Sequence, residues 1–402
     1  MANPVPATTK SAKSSTKPAG HDRVPFWDNA RFASITLVVV GHAIQRLTID
    51  SDNALTVYLF IYAFHMPAFA MISGYFSKSG APNRRQLLKV VTDILLPYVV
   101  MESIWTTVQF LVEGKEGFNL SEPSWTLWFL LALGIFRVIL PYLALLRWPL
   151  AWAVLASVSV GYFSNVDSTF SMSRAIGILP FFVLGWKLHE WGVVDKWRLV
   201  ERQALPIRLV AAAVLAAWLA VTWAFVGQWR DFNLKLWFFY DAAYSTISEG
   251  EWWAGLLRLG LIVLAVVLCG AFFVLVPRSA NWMTGFGQST MYIYLLHSFV
   301  LYPLRETGVL TGQHSSAMWL VGMVFAAIAV SIALTSPLVR RLFQPLVEPR
   351  APWLFVERDA AHTTHTDPTG SRRDRTDDWP TTLWHPHRRG AAARKREAAP
   401  PR

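Results

Sequence analysis

The chain has a single cysteine among its 402 residues, Cys269. One cysteine excludes an intramolecular disulfide framework and a cysteine-based zinc site. Since Cys269 lies inside an apolar run, we interpret it as a small buried hydrophobic residue. Charged residues are also scarce, at 16% of the chain, against about 25% in an average soluble domain. The sequence has no phosphate-binding glycine loop, zinc-protease motif or serine-hydrolase motif.

Apolar residues are abundant. Hydrophobic residues make up 53% of the chain, and the mean hydropathy is +0.34. The 20 tryptophans fit the same picture, because tryptophan gathers at membrane interfaces. The formal charge of +11 indicates cytoplasmic loops and tails, not a nucleic-acid partner, because no aromatic-interleaved basic platform accompanies it. The composition therefore predicts an all-α, polytopic membrane protein.

Apolar segments long enough to be transmembrane helices recur along the chain. A span needs about 20 mostly apolar residues, and lipid favours helices because it offers no partners to backbone groups. We predict ten spans: 26–47, 54–76, 87–112, 126–146, 149–164, 174–189, 207–227, 251–276, 287–304 and 316–336. Pro67 should weaken the helical hydrogen bonding of the second span.

Loop charge predicts the orientation. With the N-terminus in the cytoplasm, most Lys and Arg residues of the loops lie inside, as the positive-inside rule requires. We therefore expect a cell-membrane protein with both termini cytoplasmic. Its parts would be a disordered tail at 1–23, a ten-helix membrane domain at 24–345 and a disordered basic tail at 346–402. The basic tail could contact anionic membrane lipid.

The first apolar run carries charge in an ordered pattern. In "RFASITLVVVGHAIQRL" (31–47), Arg31 and His42 lie within about 20° of one helix face and about 16 Å apart along the axis. Asp28 falls about 40° to the other side of His42. Ionisable residues inside a membrane often mark a site. The alternatives are a snorkelling Arg31 and a hydrogen-bonded structural His42.

Further ionisable residues lie in other spans. His65 in "YAFHMPAFAMISGYF" and His297 in "TMYIYLLHSFVLYP" suggest, with His42, a polar cavity suited to proton transfer. Each histidine could instead be structural, and no metal is expected because no HExxH-type pair is present. Glu102 could line the same cavity or pair structurally, whereas Arg137 is interpreted as snorkelling.

The short loop "SKSGAPNRRQLLK" (77–89) contains Arg84, Arg85 and Lys89. Its positive charge could simply set the topology. It could also bind the phosphates of a cytosolic donor.

Five segments together resemble the acyltransferase 3 family of integral membrane acyltransferases, most closely its fucose 4-O-acetylase-like branch. They are "WDNARFASITLVVVGHA", "FHMPAFAMISGYF", "WTLWFLLAL", "RAIGILPFFVLGWKL" and "FGQSTMYIYLLHSF", and the resemblance covers about 26–345. It implies an acyl-CoA donor on the inner side and a hydroxyl acceptor, usually a sugar. The family often has an RxxR pattern after the second span, where this chain has Arg84, Arg85 and Lys89 instead.

The prediction is therefore an O-acyltransferase that moves an acyl group, most commonly acetyl, from acyl-CoA to a carbohydrate or glycoconjugate. Acyl-CoA would be a cosubstrate, with no permanently bound cofactor. His42 would be the base, assisted by Arg31 and Asp28. The donor would bind Arg31, Arg84, Arg85 and Lys89, and the acceptor His65, His297 and Glu102. The alternative is a glycolipid or polysaccharide-precursor transporter without this chemistry; a scaffold would leave the Arg31–His42 stripe unexplained.

Overall fold

The computed structural model describes residues 23–349 and Leu354, apart from 116, 167–168, 201–203, 249 and 309–316. Regular secondary structure in this part of the chain is entirely helical, which confirms the predicted all-α class. The α-helices are α1 Pro25–Ile44, α2 Asp52–Tyr62, α3 His65–Tyr75, α4 Arg84–Val90, α5 Leu96–Glu113, α6 Trp128–Leu143, α7 Pro149–Val160, α8 Met172–Glu190, α9 Val193–Leu199, α10 Ala204–Ala224, α11 Val226–Asp231, α12 Leu234–Trp237, α13 Tyr244–Ile247, α14 Ala254–Leu275, α15 Thr290–Glu306, α16 Ala317–Ala333 and α17 Pro337–Val347.

A helix lies at each of the ten predicted positions, but fewer have the length and composition of a span. Four described segments meet both requirements: Asp52–Tyr75, Thr169–Glu190, Ala204–Ala224 and Ala254–Leu275. A fifth results if α16 and α17, bent by 76°, count as one. Helices α6 and α7 are shorter, and α1 contains charged residues that lower its hydropathy. The ten-span count and the orientation stay predictions.

Two predicted spans are interrupted at prolines. In the second, α2 ends at Tyr62 and α3 begins at His65, two residues before Pro67. Pro67 has no N–H to donate to the carbonyl of residue 63, so the regular ladder cannot continue through this point. In the third, a π-helical turn at Val91–Leu95 precedes Pro97. Such a turn accommodates a proline ring inside an otherwise continuous helix.

Helices α3 and α8 cross at very close range, and two glycines make the approach possible. A Cβ atom on Gly74 of α3 would collide with the carbonyl of Phe182, and one on Gly185 of α8 with the carbonyl of Met71. Small residues allow helix backbones to approach in this way inside membranes. Helix α1 packs against α3, α15 and α16, so it lies in the interior of the bundle.

Residues 1–22 and most of the predicted C-terminal tail lie outside the described residues. Helix α17 ends at Val347, two residues beyond the predicted domain boundary at 345. Buried Val347 belongs to the main hydrophobic core.

The glycine crossing gives a stability prediction. Gly74→Ala should lower the free energy of unfolding by about 1–3 kcal/mol, as overpacking of a core commonly does. Thermal unfolding of the purified protein in detergent measures this change. Gly270→Ala in α14 is the matched control, because a Cβ there meets nothing within 4 Å. Equal unfolding temperatures for both variants would contradict the proposed role of Gly74.

Candidate active site

The first turns of α1 contain a buried ion pair. The Arg31 guanidinium lies 3.1 Å from a carboxylate oxygen of Asp28, and the side chains of both residues are almost fully buried. Arg23 lies 3.7 Å from the other oxygen of Asp28. Arg31 also lies over the ring of Phe76, 4.5 Å from its centroid. The two residues that the helical spacing placed on one stripe are therefore in direct contact.

The chain between α14 and α15 holds this end of α1 in place. The Asn29 side-chain amide donates to the carbonyls of Pro277 and Ser279 at 2.9 and 3.0 Å. Its Oδ1 accepts a hydrogen bond from Thr284 at 2.8 Å. Gly287 packs directly against the backbone of Asp28, where a Cβ would collide. The position of α1 in the bundle is therefore closely fixed.

At the other end of α1, His42 meets residues from three distant segments. Its ring centroid lies 5.5 Å from that of His297, 5.4 Å from Trp125 and 6.4 Å from Tyr62. The residue is half-buried. Its Nδ1 atom is buried and has no hydrogen-bond partner within the described part of the chain. His42 therefore has an uncommitted ring nitrogen inside an aromatic enclosure.

The other two histidines are buried, and the same local contact orients both. Nδ1 of His65 lies 3.0 Å from the carbonyl of Ile61, and Nδ1 of His297 lies 2.9 Å from that of Ile293. Because a carbonyl only accepts, each Nδ1 is the protonated nitrogen of a neutral ring and each Nε2 carries the lone pair. Nε2 of His297 is buried and, among the described residues, unpartnered.

The sequence placed three histidines in three spans without showing that they meet. In the structure, Tyr62 lies between them. Its ring centroid is 4.4 Å from that of His65 and 6.4 Å from that of His42, and the His42 ring is 5.5 Å from that of His297. No group of three or more His, Cys, Asp or Glu residues in the described ranges has the arrangement of a metal site.

Trp125 was missed by the sequence reasoning, although it begins the segment "WTLWFLLAL". Its backbone has φ 39°, an uncommon conformation for a bulky residue. Both neighbouring residues are hydrogen-bonded. Ser124 donates to Glu102 from its N–H at 2.8 Å and from its hydroxyl at 2.5 Å. The Thr126 carbonyl accepts a hydrogen bond from the Tyr294 hydroxyl. The predicted acceptor residue Glu102 is thus committed to Ser124 and supports the Trp125 loop.

Arg174 is a second residue that the sequence reasoning did not select, because it lies just before the apolar run of α8. It forms an ion pair with Asp241 and lies 4.6 Å from the ring centroid of Trp128. Its charge acts electrostatically on His42 and Tyr62. The histidine cluster therefore has a permanent positive charge in its neighbourhood.

The predicted donor residues lie on α4. Arg84 and Arg85 are exposed on its first turn, and Lys89 is half-buried. The helix begins with a capping box formed by Asn83 and Gln86, which fixes where this basic segment starts. The short connection from Phe76 to α4 joins this segment to the ring that covers Arg31. Arg31 and the α4 cations therefore belong to one end of the bundle. Arg137, predicted to snorkel, acts electrostatically on Lys89.

A pocket leads to His42 from the opposite end of α1. Its walls are formed by side chains of α1 and the turn that follows it, the Trp125 loop, α15 and α16: His42, Ala43, Gln45, Arg46, Trp125, Leu301, Leu304, Arg305 and Met323. An imidazole with an uncommitted nitrogen, next to a second imidazole in a fixed tautomer, is suited to accepting a proton and returning it.

Comparison with known proteins adds independent information. The profile of a family described as an acyltransferase domain, Acyl_transf_3, matches residues 24–336. The chain is 27% identical over 229 residues to nodulation protein NolL of Mesorhizobium japonicum, an alignment that covers 52% of this chain. The chain spans 60% of the length of that curated relative. No solved structure matches.

The buried ion pair gives a prediction about stability. Asp28→Asn leaves Arg31 buried without its neutralising partner, so the protein should lose about 3–5 kcal/mol of stability. Asp28→Asn combined with Arg31→Gln removes both charges and should recover most of this loss, as judged by unfolding in detergent. Breaking the exposed Lys187–Glu190 pair by Glu190→Gln should change stability by less than about 1 kcal/mol. A double variant as unstable as Asp28→Asn would contradict a simple ion-pair role.

Proposed function

The chain belongs to the acyltransferase 3 family and is a membrane acyltransferase, and from this premise we propose that it transfers an acetyl group from acetyl-CoA to a carbohydrate hydroxyl. The family match covers most of the membrane part of the chain, as the resemblance of the sequence segments implied. Membership of the fucose 4-O-acetylase-like branch stays a prediction. Acyl-CoA, the acetyl group, the acceptor class and a cytoplasmic position of both termini are parts of this proposal.

The observation that carries the proposal is the pairing of His42 and His297 at the inner end of a pocket. Each of these rings has one buried nitrogen without a partner among the described residues, Nδ1 in His42 and Nε2 in His297. Buried polar atoms are normally hydrogen-bonded, so two adjacent exceptions call for an explanation. One water that accepts from Nδ1–H of His42 and donates to Nε2 of His297 would satisfy both.

This arrangement makes His42 the general base and His297 the residue that orients it. With Nδ1 protonated, Nε2 of His42 carries the lone pair and removes the proton from the acceptor hydroxyl. The oxygen attacks the thioester carbonyl, and a tetrahedral intermediate forms. When the C–S bond breaks, the thiolate of CoA takes the proton back from His42, and the acyl ester is released. Base assistance of this kind is worth about 10²–10⁴ in rate.

The two substrates would approach from opposite ends of α1. The phosphates of the donor would bind Arg31 and the α4 residues Arg84, Arg85 and Lys89, which share one end of the bundle. The thioester would then extend along α1 toward His42, about 16 Å away by helical rise. The acceptor would enter through the pocket, with Trp125 as an aromatic surface for the sugar ring.

His42→Gln tests the base directly. Glutamine keeps hydrogen bonding but cannot take up the proton, so transfer should fall at least about 10²-fold. Transfer of labelled acetyl groups from acetyl-CoA to a glycan in membranes is the measurement. His189→Gln is the control, because His189 is exposed and contacts Tyr75. Retention of more than about a tenth of the activity would rule out His42 as the base. No glycan labelling by the wild type would favour the transporter alternative.

The donor site gives a separate kinetic prediction. Neutralising Arg84, Arg85 and Lys89 together to Gln should raise the KM for acetyl-CoA by about tenfold or more, because charge-assisted contacts to phosphate are lost. The KM for the acceptor should change little. Arg340→Gln with Arg341→Gln on α17 removes charge from another helix and serves as the control. An unchanged donor KM in a normally inserted triple variant would leave these residues only their role in topology.

A further inference from the structure

Two arginines line the pocket that leads to His42. Arg46 follows His42 by one helical turn, and Arg305 stands on α15 on the facing wall. Both side chains are a little over one-third exposed. Leu301, Leu304 and Met323 add apolar surface, and Gln45 adds an amide. A molecule bound in this pocket would therefore have two guanidinium groups within its lining.

One carboxylate contacts both arginines. Glu306 lies 3.8 Å from Arg46 and 3.2 Å from Arg305. Close charge-assisted N–H···O bonds are about 2.7–2.9 Å long, so neither contact is tight. Glu306 is shared between the two guanidinium groups, and one carboxylate contact to each leaves further N–H donors of both groups that Glu306 does not engage.

The next carboxylate of this region, Glu113, is engaged mainly by other groups, although it also interacts electrostatically with Arg305. Glu113 forms an ion pair with Lys115 at 2.6 Å and accepts a hydrogen bond from Tyr302 at 2.5 Å. Lys115 and the Tyr302 hydroxyl together hold the pKa of Glu113 below its ordinary value. Glu113 is therefore ionised and neutralised by its own lysine. Asp241 is likewise matched by Arg174.

Trp125 holds Arg305 in place beside His42. The Arg305 guanidinium lies 4.9 Å from the Trp125 ring centroid, and the same indole meets the His42 ring edge-on. Trp125 adopts a strained backbone conformation, and such conformations persist where the surroundings determine them, often at functional sites. The cation is thus presented at a fixed position relative to the base.

We propose that the pocket binds an acceptor that carries an anionic oxygen group. Arg46 and Arg305 bind that group, and a hydroxyl of the same molecule reaches His42. Guanidinium forks match phosphate and carboxylate oxygens in geometry as well as in charge. The acceptor is therefore a phosphorylated or acidic glycan, not a neutral sugar. This inference rests on the proposed function for the hydroxyl, whereas the anion site itself does not depend on acyl transfer.

Protection of His42 from chemical modification tests the site without any turnover. Diethyl pyrocarbonate modifies accessible neutral imidazoles, and peptide mass spectrometry locates the product. His42 is half-buried at the pocket, whereas His65 and His297 are buried and should react slowly in a folded protein. Inorganic diphosphate, glucuronate and neutral glucose are compared at an ionic strength matched with sodium chloride. We expect diphosphate or glucuronate to slow modification of His42 several-fold, and glucose to have little effect.

Variants assign the protection to the pocket. Arg46→Ala with Arg305→Ala should raise the anion concentration for half-protection at least about tenfold, as loss of charge-assisted hydrogen bonds predicts. Arg147→Ala, an exposed arginine elsewhere, should leave it unchanged. Slow modification of His65 and His297 in the double variant shows that it is folded.

The outcomes separate this inference from the proposed function. Stronger protection by diphosphate identifies a phosphorylated acceptor, and stronger protection by glucuronate identifies an acidic sugar. No protection by either anion, equal protection by glucose, or full protection in the double variant overturns the anion site, even where acetyl transfer is normal. Protection without acetyl transfer supports the anion site and contradicts the proposed function instead.

Discussion

The contact between Arg31 and Asp28 inside an apolar bundle is the interaction on which the site depends. A buried arginine without a partner would be strongly unfavourable, and Asp28, three residues earlier on the same helix, neutralises Arg31 where it is buried. The amide of Asn29 and the close approach of Gly287 then fix the same turns against the chain before α15. Because α1 is a continuous helix to Ile44, fixing its first turns also fixes the depth and direction of His42.

The histidine cluster depends on this placement in a second way. His297 donates to a carbonyl of its own helix α15, and His65, the first residue of α3, donates to the carbonyl of Ile61 in α2. Their orientations therefore follow from α15 and from the junction of α2 with α3. Nδ1 of His42 has no such carbonyl contact in the described part of the chain. The ring interacts with the Gln45 side chain, and its aromatic neighbours come from α2, α15 and the Trp125 loop. Two imidazoles are thus oriented by a backbone carbonyl and the third is not, which is the reason for proposing the third, His42, as the group that transfers the proton. The inward position of α1 between α3, α15 and α16 makes this convergence possible.

Much of the fold could be read from the sequence, because apolar length and proline position are local signals. The all-α class and the irregularity near Pro67 follow from such signals. The stripe of Asp28, Arg31 and His42 could also be derived, since it needs only the helical period. The meeting of His42 with His297 could not, because the two residues are 255 positions apart and no local pattern encodes their contact. Glu102 shows the same limit: a carboxylate in an apolar run indicates burial, but its partner Ser124 is known only from the folded chain.

The positive charges near the two ends of α1 can be explained together by the charges of the two proposed substrates. If donor and acceptor are both anionic, their negative groups repel each other wherever the site brings them together. Arg31 lies on α1 and Arg46 in the turn that follows α1, fifteen residues later, or roughly 22 Å along the axis at the helical rise. At that separation, the repulsion between unit charges is below about 1 kcal/mol for an effective dielectric constant near 20, against about 4 kcal/mol at 4 Å. Only the uncharged ends, a thioester and a hydroxyl, need to meet at His42. In the proposed reaction, the arginines near the two ends of α1 would hold two like-charged substrates by their charged ends and keep those ends apart while their reacting atoms meet at His42.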